Sequence, residues 1–300
     1  MKGSLAIFLV AISLFAPSAK AQQVYSFAYH DVVSVETDDA FAITRSELRA
    51  HMEFFRRYGF QPISLAYLNK AARGQLRLPD RAVLLTFDDG LVSYRDIVVP
   101  MLKEYGYPSV LSVVTGWLDG KSVPAEYDGK MLDWTAIGKL NRSPLVEVVS
   151  HSHNLHRGVP SNPQGNVAFA GVTRQYSKTS GSYETEKHFT RRIRDDLQHS
   201  VRRFRKELGV VPSAITWPYG AYDRITARIA LSLGFRFQLT LDEGGIFLNE
   251  LPRIKRFLIT KDTDVAALKI ITLRQNRKSD PIRFVDFDLQ ALVGVTAIQR

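Results

Sequence analysis

The sequence predicts a single α/β domain whose strands curl into a barrel, with the functional site on the loops that follow the strands. Short runs rich in β-forming residues alternate with amphipathic helical stretches, at the spacing of β/α units. The chain has 300 residues, 45% of them hydrophobic, enough for a large core without disulfides or zinc. We expect the domain over residues 22–300, with its core at about 24–275. The candidate strands are residues 24–29, 82–87, 109–114, 145–149, 214–216, 235–239 and 254–258.

Four helical stretches are predicted between these strands. Thr44 and Glu47 form a capping box that begins the first helix, and Gly59 ends it. Residues 158–182 have low periodicity, and loops of that length usually serve a function or are disordered. The other helices are expected over residues 94–105, 135–140 and 184–208.

The first 21 residues have the pattern of a secretory signal peptide. Lys2 supplies a positively charged N-terminal region, residues 5–16 are an apolar run of twelve, and a small-x-small cleavage pattern precedes Gln22. Twelve apolar residues are too few to cross a hydrocarbon core, which needs about 20. We therefore expect an exported protein without a transmembrane segment, in the periplasm or outside the cell.

Composition excludes several chemistries. Without cysteine there is no thiolate nucleophile, Cys-bound zinc or iron–sulfur cluster, so histidine and carboxylates must bind any metal. The formal charge of +10 falls to +8 when residues 1–21, with Lys2 and Lys20 and no acid, are removed. A basic chain suggests a polyanion, but no nucleic-acid-binding motif is present, so we expect no nucleic-acid partner.

Titratable residues follow two of the apolar candidate strands. Asp88 and Asp89 end the second strand, and carboxylates so close raise each other's pKa unless a cation lies between them. His151, His153 and His156 follow the fourth strand. Histidine and aspartate without cysteine make a site for Zn²⁺ or a similar divalent ion. Spacing alone does not choose between the ligand pairs His151–His153 and His151–His156.

Two more segments carry polar groups after a strand. Trp-Pro-Tyr-Gly at residues 217–220 predicts a tight turn, in which the N–H of Tyr219 is a candidate oxyanion donor. His30 and Asp31 follow the first strand. By itself, each of these two segments more often has a structural role than a catalytic one.

Three of these segments, in this order, resemble the motifs of the polysaccharide deacetylase family, carbohydrate esterase family 4. The resemblance covers about residues 24–258 and implies a distorted (β/α)7 barrel. It also implies hydrolysis of acetyl groups on N-acetylglucosamine polymers or xylan, with one divalent ion, zinc or another first-row transition metal. The motifs are Thr-Phe-Asp-Asp-Gly at 86–90, His-Ser-His-Asn-Leu-His at 151–156 and Trp-Pro-Tyr-Gly at 217–220.

The resemblance implies a role for each matching residue. Asp88 becomes the general base, Tyr219 donates its backbone N–H to the oxyanion, and Trp217 lines the sugar pocket. His153 is then not a ligand. The implied metal ligands are Asp89, His151 and His156.

The sequence departs from the family pattern in two places. The arginine that often holds the base aspartate is replaced by Thr216, and Arg253 is the candidate substitute and substrate-binding residue. No histidine follows His199, where the family usually has its general acid. The motif order therefore resembles a circularly permuted subgroup, in which His30 is the acid, oriented by Asp31.

Residues 156–165 and 183–186 are similar to the poly-β-1,6-N-acetylglucosamine deacetylases of bacterial biofilm export. We therefore expect metal-dependent N-deacetylation of an exported β-1,6-linked N-acetylglucosamine polymer, with the exopolysaccharide export machinery as a further partner. The alternatives are a deacetylase of peptidoglycan, chitin or xylan, and a non-catalytic sugar-binding module of the export system.

Overall fold

The computed structural model describes residues 23–274, so the predicted signal peptide lies outside the described residues. The strands are β1 (Gln23–Tyr29), β2 (Asp31–Val33), β3 (Ala42–Thr44), β4 (Gln61–Pro62), β5 (Ala82–Phe87), β6 (Ser109–Val113), β7 (Val146–Ser150), β8 (Gly158–Pro160), β9 (Val167–Phe169), β10 (Tyr176–Ser177), β11 (Ser182–Tyr183), β12 (Ala214–Thr216), β13 (Phe237–Leu239), β14 (Ile246–Phe247), β15 (Arg253–Ile254) and β16 (Phe257–Leu258). The α-helices are α1 (Arg45–Arg57), α2 (Leu65–Ala72), α3 (Val99–Tyr105), α4 (Thr115–Leu118), α5 (Trp134–Leu140), α6 (Glu186–Leu208), α7 (Arg224–Ser232) and α8 (Val265–Arg274).

One ten-stranded sheet forms a nearly closed barrel. Its strand order is β14-β1-β5-β6-β7-β12-β13-β15, with β16 also on β1 and β4 also on β5. Neighbouring strands are parallel, apart from the β1–β14 pair. Since β15 pairs with β13 and β16 pairs with β1, the segment joining them links the two ends of the sheet. The distorted barrel is thereby confirmed, and the circular permutation stays a prediction.

Most predicted elements are present with small shifts at their ends. The capping box is confirmed, since the Thr44 hydroxyl accepts from the Glu47 N–H at 3.2 Å and the Glu47 carboxylate accepts from the Thr44 N–H at 2.6 Å. The predicted strand 254–258 is instead two strands, because β15 and β16 pair with opposite ends of the sheet. Residues 158–183 form two antiparallel hairpins, β8–β9 and β10–β11.

Side-chain alternation along β5 points one set of residues into the barrel. Val83, Leu85 and Phe87 pack with the apolar faces of α1 and α3. Leu84 faces the opposite way, into the barrel interior. There it packs in an apolar cluster that contains residues of every strand in the sheet order from β14 to β15. Because alternate side chains lie on the same face, Asp88 continues the inward series beyond the strand. All six residues of β5 are buried, so the strand delivers its terminal carboxylates to the rim of a dry barrel.

No helix within residues 23–274 has the length and apolar character that crossing a bilayer requires.

We predict that Gly220→Ala destabilises the turn after β12. Gly220 has φ of 67°, and a Cβ there would lie 2.6 Å from the Leu241 Cβ and 2.8 Å from the Leu241 backbone N. Gly209 is the matched control, since its φ is 70° and a Cβ would meet nothing within 4 Å. We expect Gly220→Ala to lower the free energy of unfolding by about 1–3 kcal/mol more than Gly209→Ala, as measured by urea denaturation. Equal losses would contradict the steric explanation.

Candidate active site

Asp88 and Asp89 lie buried at the end of β5, with 3% and 1% of their surface exposed. Asp89 has φ of 75° and Gly90 has φ of 89°, so two successive left-handed residues end the strand. The Asp88 N–H donates to the Tyr29 carbonyl at 2.9 Å, which ties this turn to the end of β1. A strained residue that the surroundings hold in place is typical of functional sites.

Arg256 neutralises Asp88. Its Nη1 lies 2.9 Å from each carboxylate oxygen, and the arginine side chain is only 1% exposed. Arg256 also donates to the Thr86 hydroxyl at 2.9 Å and to the Thr240 carbonyl at 3.1 Å. Burial by itself would raise the pKa of Asp88, but the Arg256 guanidinium, with smaller contributions from the neighbouring histidines and Ser112, outweighs burial and holds that pKa below its usual value. Asp88 is therefore ionised at neutral pH and able to accept a proton.

The expectation that Arg253 replaces the missing family arginine is wrong. Arg253 is exposed, and its Nη1 lies 3.5 Å from the Tyr222 hydroxyl, on the outside of the barrel wall. Ile254 is fully buried in the barrel interior, so Arg256, two residues later, returns to that side. The same alternation, read from the sequence, would have identified Arg256.

Asp89, His151 and His156 converge on one point. The Asp89 Oδ1 lies 3.5 Å from the Nε2 of each histidine, and it is buried without a hydrogen-bond partner among the described residues. The ligand atoms of the three residues all lie within 4.8 Å of one another. The other Asp89 oxygen accepts from the Tyr127 hydroxyl at 3.2 Å. An unpaired buried oxygen facing two imidazoles fits a divalent metal ion.

Both histidines present a neutral nitrogen to this point. The His151 Nδ1 lies 2.8 Å from the Thr216 carbonyl, which can only accept, so Nδ1 carries the proton and Nε2 has the lone pair. Burial lowers the pKa of His151 to about 4 and that of His156 to about 3. Burial raises the pKa of Asp89, so a bound cation is what favours its ionised form.

His153 lies apart from the three clustered side chains. Its Nδ1 is 3.0 Å from the Thr115 hydroxyl, and its ring stacks on His199 with centroids 4.0 Å apart. The structure thus brings together His151 and His156, the pair that the family resemblance implies.

His51 is buried against Tyr29, as a structural histidine.

The loop between His151 and His156 is held from two sides. Ser152 has φ of 71°, and its carbonyl and that of His153 accept from the N–H groups of Thr115 and Gly116 at the start of α4. On the other side, Asp196 of α6 accepts from the His153 N–H at 2.9 Å and from the N–H of the next residue at 2.8 Å. These bonds fix the separation of the two clustered histidines.

His30 is half-buried at the end of β1, on the same rim. When protonated, it favours the ionised forms of Asp88 and Asp89, although burial keeps the pKa of Asp89 raised. Asp31 does not orient it, contrary to expectation, because the Asp31 carboxylate accepts from the Ser93 hydroxyl at 2.5 Å and from a backbone N–H. The His30 Nδ1 is buried without a hydrogen-bond partner among the described residues, and the ring packs on Phe41, 5.5 Å away.

The turn after β12 places Tyr219 beside the cluster of Asp89, His151 and His156. Tyr219 has φ of 57°, and its ring centroid lies 4.4 Å from that of His156. Its backbone N–H as oxyanion donor stays a prediction. Trp217 is fully buried, with its indole N–H donating to Gln238 at 3.1 Å, so the expectation that Trp217 lines the sugar pocket is wrong. It fills the core between the barrel and α6 instead.

Three polar residues of the site escaped the sequence analysis. Alternation from Ile254 would have found Arg256, but Tyr127 and Asp196 carry no such signal. Tyr127 ends a three-residue 3₁₀ turn, Ala125–Tyr127, and Asp196 is one of many charged residues on a helix with an apolar stripe. Their roles come from contacts between distant parts of the chain.

A parallel barrel with a buried Asp-His-His cluster at its strand ends is typical of metal-dependent hydrolases. The family model described as polysaccharide deacetylase matches residues 75–238. The chain therefore belongs to the polysaccharide deacetylase family, and the predicted family is confirmed.

Individual relatives agree with this assignment. The chain is 32% identical over 276 residues to the poly-β-1,6-N-acetyl-D-glucosamine N-deacetylase of Escherichia coli K12, covering 88% of this chain and 40% of that protein. It thus spans less than half the length of this curated relative. The solved de-N-acetylase from Aggregatibacter actinomycetemcomitans has a TM-score of 0.78 at 26% identity, covering 83% of this chain and 100% of that one. For the BpsB deacetylase domain from Bordetella bronchiseptica the TM-score is 0.71 at 36% identity, covering 79% and 96%.

We predict that Asp196→Asn weakens metal binding. Asparagine leaves one acceptor oxygen for two backbone N–H groups, so the loop between the clustered histidines loosens. Loss of such an outer partner typically costs 10–100-fold in affinity, and we expect about 10-fold by zinc competition with a chromophoric chelator. Asp195→Asn, at the exposed neighbouring position, should bind as the wild type does. Equal affinities for all three proteins would contradict the prediction.

We predict that the metal-free protein loses stability as the pH falls from 6.5 to about 4. The folded pKa of His151 is lowered to about 4 from 6.5, so in this window the unfolded chain takes up a proton that the folded protein does not. The free energy of unfolding then falls by up to about 1.4 kcal/mol per pH unit for this residue. His151→Asn, which keeps an N–H for the Thr216 carbonyl, should show a shallower slope in urea titrations with chelator. Identical slopes would contradict this assignment.

Proposed function

We propose that this domain removes N-acetyl groups from a β-1,6-linked N-acetylglucosamine polymer. The observation that carries the proposal is the unpaired Asp89 Oδ1 facing His151 and His156, beside an Asp88 that Arg256 keeps ionised. This arrangement supplies a cation site and a base within one buried cluster. The substrate is inferred from the relative in Escherichia coli, whose name specifies that polymer.

The chemistry is acyl transfer from the amine to water. A divalent ion held by Asp89, His151 and His156 supplies Lewis acidity to the acetyl carbonyl and to water. Asp88 accepts the proton of the attacking water, a contribution of about 10²–10⁴-fold in rate. The Tyr219 N–H donates to the developing oxyanion, which is worth about 3 kcal/mol.

His30 donates a proton to the departing amine. Without a proton the leaving group would be an amide anion, so this step needs an acid near the cluster. The position of His30 at the end of β1, with Asp88 and Asp89 close by, supports this role. Packing on Phe41 orients the ring in place of a carboxylate.

The donor set supports a first-row transition metal. Two imidazoles and one carboxylate suit zinc and similar ions, and leave a position open for water. We propose zinc or a neighbour in that row as the resident ion.

We further propose that the domain acts in the periplasm, on polymer in transit through the exopolysaccharide export machinery. The signal-peptide pattern of residues 1–21 supports export.

Acetate release from β-1,6-linked N-acetylglucosamine oligomers tests the proposed function. We predict that zinc- or cobalt-loaded protein releases acetate and that Asp88→Asn lowers kcat at least about 100-fold, because the general base is lost. Asp80→Asn is the control, since Asp80 is 84% exposed and precedes β5. Chitin, xylan and peptidoglycan fragments form the comparison panel.

Two outcomes would contradict the proposal. Hydrolysis of another acetylated polymer, with none of the β-1,6-linked oligomer, would assign a different substrate. Equal, null turnover by the wild type and Asp88→Asn, with metal bound and oligomer binding intact, would assign a sugar-binding role.

A further inference from the structure

A row of three aromatic rings extends outward from the metal-binding cluster. The His156 ring lies 4.4 Å from the Tyr219 ring, and the Tyr219 ring lies 4.4 Å from the Phe169 ring. The last two are nearly parallel, with 17° between their planes. We propose that Phe169, backed by the Tyr219 ring, forms a stacking subsite for a pyranose ring of the polymer. This inference rests on the proposed function and names a residue that holds a second sugar of the polymer, next to the one at the cluster.

Phe169 is more accessible to solvent than the tryptophans near the cluster. Trp217 and Trp117, the tryptophans nearest the cluster, are 0% and 3% exposed and offer no surface to a polymer. Phe169 and Tyr219 are half-buried, so part of each ring faces solvent at the rim. Phe41 is also half-buried, but it packs on His30 rather than beside the metal ligands.

Backbone hydrogen bonds fix the position of Phe169 relative to His156. Strand β8 begins two residues after His156, and Gly158 of β8 pairs with Phe169 of β9. Ala170, fully buried, donates its N–H to the Arg157 carbonyl at 3.0 Å. Phe169 therefore connects to the loop that carries His156 through a short hydrogen-bonded hairpin.

Arg192 of α6 braces the other side of this hairpin. Its guanidinium donates to the Ala170 carbonyl at 2.9 Å and to the Thr173 carbonyl at 2.8 Å, and it pairs with Glu184 at 3.0 Å. These bonds span the insertion from β9 to the start of α6. An aromatic ring on a braced support loses little conformational entropy when it binds a ligand.

The chemistry of the rings favours a sugar face. One face of a hexosamine ring carries axial C–H groups and is apolar, while hydroxyl and acetamido groups lie around its edge. Such a face gains from burial on an aromatic ring, whose electron-rich surface also attracts the C–H hydrogens. Because Tyr219 lies between His156 and Phe169, a sugar on the outer face of Phe169 would lie two rings away from the metal ligand His156, at the position of a neighbouring sugar of the polymer rather than of the one being deacetylated.

Oligosaccharide binding without turnover tests the subsite directly. In an Asp88→Asn background, we expect Phe169→Ala to raise the Kd for a β-1,6-linked N-acetylglucosamine pentamer about 10-fold by calorimetry. Phe169→Trp should keep wild-type affinity, and Phe169→Leu, which keeps the apolar volume without the ring, should lose affinity. Val167→Ala is the matched control, since Val167 lies two residues earlier on β9 and is 37% exposed.

A small aryl acetate measured with the native Asp88 separates stacking from structural damage. Such an ester needs only the cluster, so Phe169→Ala should lower kcat/KM for its hydrolysis by a smaller factor than it raises the Kd for the pentamer, with metal content unchanged.

An unchanged Kd for the pentamer in Phe169→Ala would overturn the subsite, and so would a parallel loss of ester hydrolysis and metal. Failure of the proposed function is distinct, because it shows as absent acetate release by the wild type whatever the Kd values.

Discussion

Two adjacent carboxylates buried at the end of one strand are the constraint on which this site depends. Asp88 and Asp89 cannot both be ionised in a dry barrel without nearby cations. The protein treats them differently, since Arg256 pairs with Asp88 while Asp89 faces His151 and His156. One carboxylate is thus held ionised, as the proposed general base requires, and the other faces two imidazoles, as the proposed metal ligand requires, although they are neighbours in the chain.

Closure of the barrel and ionisation of Asp88 depend on the same segment. Arg256 lies between β15 and β16, the strands that join the two ends of the sheet. Its guanidinium reaches Asp88 only if both strands are paired. The nearly closed barrel therefore supplies the countercharge as well as the scaffold, which explains how a fully buried arginine is tolerated there.

Left-handed backbone recurs at the three motifs. Three non-glycine residues with positive φ, Asp89, Ser152 and Tyr219, each lie in a different motif, and each turns the chain at the rim. Such conformations cost about 1–3 kcal/mol each and persist only where the surroundings enforce them. The enforcing contacts come from elsewhere in the chain, as with Asp196 of α6 on the loop between the clustered histidines.

The amino-acid sequence by itself determined the barrel, the motif residues and the chemistry they share, because apolar strands that end in carboxylates and histidines are local patterns. The wrong assignments, Arg253 and Trp217, concerned which side of a strand or loop a residue faces. Only the tertiary structure decided that Arg256 pairs with Asp88, 168 residues away in the chain, and that Phe169 stacks on Tyr219. Periodicity reports the environment of a residue within its own element, whereas the partner of a charge or ring depends on how distant loops meet at the rim.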